Sequence, residues 1–221
     1  MDKKIKNIVF DLGGVIVNLN RQECIDGFRE AGAGGVIDGL DQSIQKGFLY
    51  EFEVGRITEH EFCEEVRRQT GIAAGNAEIC RMWNRMIGDV PVERVRRIAE
   101  LKGEGYRIFM LSNTNETHWK QCDRSIRKAL AELEPAVGTE DLFEKTFLSF
   151  EMHMAKPSPG IFERMLAEAE IKAEETLFID DAPVNREAAA AVGIIAGQQA
   201  EEYTWMGSHG LHFDGFEPYN G

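Results

Sequence analysis

The chain has 221 residues, of which 43 % are hydrophobic. That is enough for one substantial core, alone or with a small accessory domain, and it argues against a structureless or repeat protein. With 25 Lys and Arg against 38 Asp and Glu, the formal net charge is -13, which disfavours a nucleic-acid backbone or an anionic membrane as partner but leaves room for a small anion in a local site.

No apolar run approaches the roughly 18 residues that span a bilayer, and Met1-Asp2-Lys3-Lys4 leads into a strand-like segment rather than a signal peptide. The expectation is a cytoplasmic protein, a monomer or weak homodimer. Cys24, Cys63, Cys80 and Cys122 are widely separated, without a C-x-x-C pair or a histidine at zinc-finger spacing, and read as reduced apolar fillers.

The first predicted element is a buried strand over Lys6 to Asp11, where Ile8-Val9-Phe10 is apolar and β-prone and Asp11-Leu12-Gly13-Gly14 stops it. The stretch from Arg21 to Gly88 contains no convincing strand. It carries helix-like segments at Glu23 to Ala31, Val36 to Phe48, Glu59 to Gln69 and Asn76 to Met86, with Gly/Ala-rich loops at Ala31 to Gly35 and Gly71 to Gly75. This is too much helix for one crossover connection, so it is expected to be a small helical domain, 21–88, inserted into a core of 1–20 and 89–221.

Beyond it, helical spacing returns in Val92-Val95-Ile98-Ala99 and in Ile161-Phe162-Met165-Leu166-Ala169, with Pro91 and Pro159 placed to open those helices. Three more short apolar strands end in polar residues: Arg107 to Leu111 at Ser112-Asn113, Thr146 to Leu148 at Ser149, and Thr176 to Ile179 at Asp180-Asp181. A helix through Ala188 to Val192 and an edge strand Gly193 to Ala196 follow. Short apolar strands separated by helices indicate an α/β protein with a parallel sheet covered on both faces. The aromatics of the tail from Glu201 to Gly221 are expected to patch the surface of the core.

In an open parallel sheet, ligands settle beyond the C-terminal strand ends. Asp11, Ser112-Asn113, Lys156 and Asp180-Asp181 therefore belong to one candidate site. Carboxylates from two strand ends offer hard oxygen ligands for magnesium while one stays free to attack an electrophile. Read singly, each has a plainer use: Asp11 as a turn residue, Lys156 as a surface charge, Ser112 as the cap of a helix beginning after Asn113. The repetition at four strand ends is what favours chemistry.

Asp11-Leu12-Gly13-Gly14-Val15, Leu111-Ser112-Asn113-Thr114, Lys156-Pro157 and Phe178-Ile179-Asp180-Asp181 with Asn185 resemble, in order and spacing, the four motifs of the haloacid dehalogenase-like hydrolase superfamily. The resemblance covers nearly all of the chain. It implies a Rossmann-like core with a helical cap. It further implies an aspartyl-phosphate on Asp11, Lys156 steadying nucleophile and phosphoryl charge, Ser112 and Asn113 on the substrate side, and magnesium held by Asp11, the Gly13 carbonyl, Asp180 and Asp181. The implied activity is a magnesium-dependent phosphatase of a small phosphorylated metabolite, a sugar phosphate being one such substrate.

Gly13 departs from the pattern, because phosphatases of this superfamily usually carry there a second aspartate that protonates the leaving group and activates water. Three readings stay open: an acid from a cap residue or water, a substrate with a good leaving group, or a catalytically weak binding protein. Haloacid dehalogenase is the enzymatic alternative, though it explains the Asp180-Asp181 pair less economically. Within the cap, Arg21, Arg56, Trp83, Asn84 and Arg85 are candidates for substrate contact, against the plainer expectation that Trp83 is cap core and the arginines are solvated. His60, His118, His153, His209 and His212 show no metal-ligand spacing, and His118 is open between the cleft and a helix surface.

Overall fold

The computed structural model describes residues 5–36, 46–133, 138–196 and 206. Among these, four strands, β1 (Asn7–Phe10), β2 (Arg107–Ser112), β3 (Lys145–Leu148) and β4 (Thr176–Ile179), form a parallel sheet in the order β3-β2-β1-β4. Every residue of β1 and β4 is buried, as the continuous apolar runs of a doubly covered parallel sheet require. The α/β class expected from the sequence is the one observed.

Alternation along the strands divides the core. Ile8 and Phe10 join Ile108, Met110, Leu177 and Ile179 on the face covered by α5 (Val92–Gly103), α6 (Glu116–Leu130) and the short α7 (Thr139–Leu142). Val9, Phe109, Leu111, Phe147 and Phe178 point to the other face, under α9 (Pro159–Ala169) and α10 (Pro183–Ala191). Pro159 and Pro183 stand in the first turns of those helices, where a missing N–H costs nothing. Pro91 instead occupies the cap position before α5.

Register sets the site. Phe10 pairs with Met110 on one side and Ile179 on the other, so β1 and β4 finish level and Asp11 and Asp180 emerge side by side. The chain leaves β1 toward β2 and β3 and later returns to β4 on the opposite side of β1. That reversal opens a crevice at these strand ends. The expected edge strand at Gly193 to Ala196 is reduced to a single parallel bridge between Leu177 and Ile195, because only Ile195 exchanges backbone hydrogen bonds with β4, at 2.9 Å to Thr176 and Phe178.

Between β1 and α5 lie α1 (Arg21–Glu30), α2 (Gly47–Glu53), α3 (Glu59–Thr70) and α4 (Asn76–Asn84). They bury a cluster of their own that includes Phe28, Phe52, Phe62, Val66, Ile79 and Trp83, with the rings of Phe52 and Phe62 stacked at 4.5 Å. A capping box starts α3: the Thr58 hydroxyl accepts from Glu61 N–H at 3.2 Å and Glu61 accepts from Thr58 N–H at 2.7 Å. The helix expected over Val36 to Phe48 is not seen in the described part of that span. A 3₁₀ turn occupies Gly34–Val36, residues 37–45 lie outside the described residues, and α2 runs from Gly47 to Glu53. The apolar stripe continues past Phe48 through Leu49 and Phe52, and the helix follows the stripe.

The segments leading into and out of this helical layer run antiparallel, with Leu19 bridged to Ile87 and Asn18 N–H bonded to Asp89 O at 2.9 Å. The layer touches the rest of the molecule through α4 against α6 and through α2 against α8 (Ser149–Met152), the single turn that follows β3. Among the described residues no helix is long and apolar enough to cross a membrane. The aromatic tail of 201–221 lies outside the described residues except Met206, which packs on the core.

Candidate active site

Asp11, Lys156 and Asp180 form one buried charge cluster. Lys156 Nζ lies 2.8 Å from Asp11 Oδ1 and 2.6 Å from Asp180 Oδ2, and it also donates to the Leu111 carbonyl at 3.0 Å. Asp180 is fully buried, and its carboxylate is satisfied by Ala182 N–H at 2.8 Å and Asn185 Nδ2 at 3.0 Å besides the lysine. Arg186 donates to the main-chain carbonyls of Asp180 and Asp181 at 2.8 and 2.9 Å, fixing the turn that presents both carboxylates.

Asp11, Asp180 and Asp181 each offer a carboxylate oxygen, all within 4.8 Å of one another. Burial pushes the Asp11 carboxyl up, to about 7, against the pull of Lys156 and with the push of Asp180. Asp181 is raised by burial and then by Asp180. Burial also works against the charge on Lys156, but Asp11 and Asp180 outweigh it and hold the ammonium above the ordinary lysine range. Three carboxylates crowd one ammonium here. Hard oxygen donors under mutual repulsion are what a divalent cation of the magnesium type relieves, so the residues present fit such an ion.

The loop after β1 is shaped by two different glycines. Gly14 has φ +77°, and a Cβ there would stand 2.6 Å from Asp181 Oδ2, so only glycine lets the loop pass the acidic pair. Gly13 is not in the left-handed region, and a Cβ would meet only the end of the Leu19 side chain, at 3.0 Å.

The second loop, after β2, braces the lysine. Asn113 donates from Nδ2 to the Lys156 carbonyl and accepts at Oδ1 from Lys156 N–H, both at 2.8 Å, so both ends of its amide clamp the Lys156 backbone. The buried Ser112 lines the cleft with Asn113. Ser112 does not cap the following helix. That helix begins at Glu116, and Asn115 caps it by accepting from His118 N–H at 3.0 Å.

The cleft above these groups is about 330 Å³, walled below by the strand ends and above by the helical layer. Of the residues singled out in that layer, Arg21 and Trp83 line the cleft. Arg56 and Arg85 do not: they pair with Glu51 and Glu30 at 3.0 and 3.1 Å. Trp83 is buried core and also stacks on His118, whose ring lines the cleft rather than a helix surface. The four cysteines are free thiols.

Glu53, at the end of α2, was not marked by the sequence. It reaches the cleft opposite Asp11 and Lys156. The only local hint is its place just before Val54-Gly55, where Gly55 has φ +65° and a Cβ would lie 2.1 Å from the Phe150 carbonyl oxygen. That contact seats the end of α2 directly on α8.

Comparison with known proteins agrees with this architecture. The sequence model of the family described as haloacid dehalogenase-like hydrolase matches residues 5–193. A D-ribitol-5-phosphate phosphatase of Bacteroides thetaiotaomicron is 30 % identical over 203 residues, 91 % of this chain and 95 % of that protein. A sesquiterpene phosphatase of Aspergillus oryzae is 28 % identical over 192 residues, 86 % of this chain and 87 % of that protein. Among solved structures, an enzyme of the same family from Bacteroides thetaiotaomicron, in complex with magnesium and inorganic phosphate, aligns with TM-score 0.77 and 37 % identity, covering 86 % of this chain and 91 % of that one.

Proposed function

Because the chain belongs to the haloacid dehalogenase-like hydrolases, we propose that it is a magnesium-dependent phosphatase of a small phosphorylated metabolite, acting through an aspartyl-phosphate on Asp11. The observation that carries this reading is the Asp11 carboxylate held 2.8 Å from Lys156 Nζ at the floor of a cleft that Asp181 also lines, with the buried Asp180 grouped against them. The relatives named as phosphatases, and the related structure with magnesium and phosphate, support it.

In this reading Asp11 attacks phosphorus, and Lys156 balances charge on both nucleophile and phosphoryl oxygens. Ser112 and backbone donors of its loop hold a phosphate oxygen, and Asn113 keeps Lys156 aimed by clamping its backbone. Asp11, the Gly13 carbonyl, Asp180 and Asp181 hold magnesium, which when bound supplies neutralisation of the phosphoryl oxygens. The helices within 21–88 serve as a cap over the core of 1–20 and 89–221, and the substrate is a sugar or polyol phosphate that fits beneath it.

A panel of small phosphate esters, assayed with magnesium and with Asp11→Asn as the blank, tests the reading. Phosphate release by wild type alone is expected. Equal release from both proteins rejects it, and halide release from a haloacid without magnesium selects dehalogenation instead.

A further inference from the structure

Gly13 leaves a phosphatase at this site without a carboxyl beside the nucleophile to serve the leaving group, so the remaining titratable side chains of the cleft decide where a proton comes from. Lys156 is locked between Asp11 and Asp180. Asp181 belongs to the acidic cluster, and the Arg21 guanidinium offers donors but no acceptor to take up a proton. Both ring nitrogens of the buried His118 are engaged, Nε2 with the Trp83 carbonyl at 3.0 Å and Nδ1 with Asn115 Nδ2 at 3.2 Å. Burial pushes the Cys122 thiol up to about 12. Glu53 is different. Its side chain is partly buried and lines the same cleft, and among the described residues its carboxyl has no hydrogen-bond or ion-pair partner.

The backbone holds Glu53 in place before any substrate arrives. Its carbonyl oxygen lies 2.6 Å from the Ser149 hydroxyl, and that hydroxyl accepts from Thr114 N–H at 2.8 Å. The neighbouring Val54 carbonyl lies 3.1 Å from His153 Nδ1. The close approach of Gly55 to Phe150 completes the seat. The end of α2 is thus tied both to α8 and to the loop that carries Ser112 and Asn113.

We propose that Glu53 is the general acid and base of this site, an inference that rests on the phosphatase reading above. As an Asp11 carboxylate oxygen bonds to phosphorus and the ester P–O bond breaks, the Glu53 acid passes its proton to the leaving oxygen, giving the free alcohol. The Glu53 carboxylate then takes a proton from water as the water oxygen bonds to phosphorus and the bond from phosphorus to Asp11 breaks. Inorganic phosphate leaves, Asp11 is again a carboxylate and Glu53 again an acid.

The electrostatics suit both halves. Burial pushes the Glu53 carboxyl up to about 7, with Lys156 pulling it down and Asp11 pushing it up, which places it near the pH at which acid and base forms are both available. Lys156 and Asp11 face it from the strand ends, and Arg21 and Asp181 share the cleft. On its own helix and turn, Glu51 is occupied by Arg56.

The test is Glu53→Gln, which keeps the shape, assayed on a primary alkyl phosphate and on an aryl phosphate with magnesium. The alkyl ester should lose roughly 10²- to 10⁴-fold in kcat/KM. The aryl ester, whose leaving group needs no proton, should give a burst of one aryl alcohol per site and then slow turnover, since water is no longer activated. The alkaline limb of the wild-type kcat/KM profile, where the Glu53 acid is lost, should vanish in Glu53→Gln while the acid limb set by the Asp11 carboxylate stays, and Glu53→Asp should recover part of the second phase. Wild-type rates on both esters, or an equal loss on both with no burst, overturn the role of Glu53 while leaving Asp11-dependent hydrolysis intact. Wild-type release no greater than that of Asp11→Asn overturns the phosphatase reading and Glu53 with it.

Discussion

The indole of Trp83 lies flat on the imidazole of His118, with ring centroids 4.7 Å apart and planes within 10°. Trp83 belongs to α4 and His118 to α6, so this stack, with the hydrogen bond from His118 Nε2 to the Trp83 carbonyl, joins the helical layer to the layer beneath.

That junction carries a pH dependence. Burial holds His118 well below its ordinary 6.5, at about 4, against the opposing effect of the Trp83 carbonyl. The folded protein keeps the ring neutral where the unfolded chain would protonate it, so the contribution is complete above pH 6.5 and is lost as the pH falls toward 4. Denaturant titrations should show wild type losing up to about 3 kcal/mol more than His118→Asn over that window. Parallel pH curves for the two proteins would contradict the buried neutral imidazole.

Gly13 and Gly14 are adjacent but not equivalent. Alanine at Gly14 must adopt φ near +77° with its Cβ against Asp181, whereas alanine at Gly13 needs only a shift of the Leu19 side-chain end. Gly14→Ala should be less stable than Gly13→Ala by about 1–2 kcal/mol from backbone handedness alone. Calorimetry should also show weakened magnesium binding in Gly14→Ala, because Asp181 is displaced. Equal behaviour of the two variants would contradict the loop geometry.

Lys156 is 3 % exposed and is paired with two carboxylates. Lys156→Met keeps much of the volume and strands those charges, at a cost of roughly 3–5 kcal/mol. Urea titration in the absence of divalent ions measures this directly. A stability within about 0.5 kcal/mol of wild type, the range of an ordinary surface substitution, would mean the lysine is not the counter-ion of the site.

The strands and their acidic ends were legible because a doubly covered parallel sheet writes itself as short apolar runs, and because level strand ends bring Asp11 and Asp180 together whatever the helices do. Lys156 was marked by its motif, and its ion pairs agree with that position. Glu53 was not legible, because Glu51 and Glu53 look alike on paper. Only the docking of α2 on α8 sends one to Arg56 at the surface and the other into the cleft. Asn113 read as a substrate contact, yet both ends of its amide bind the backbone of Lys156, a residue 43 positions away. Long-range backbone partners leave no local pattern.

The most direct measurement is a rapid acid quench of wild type mixed with an aryl phosphate and magnesium, followed by mass spectrometry of the peptide that contains Asp11. A phosphoryl group on Asp11, absent from Asp11→Asn and absent without magnesium, is the expected result. Phosphate release that proceeds with no label on Asp11, or with the label on another residue, would contradict the assignment of Asp11 as nucleophile.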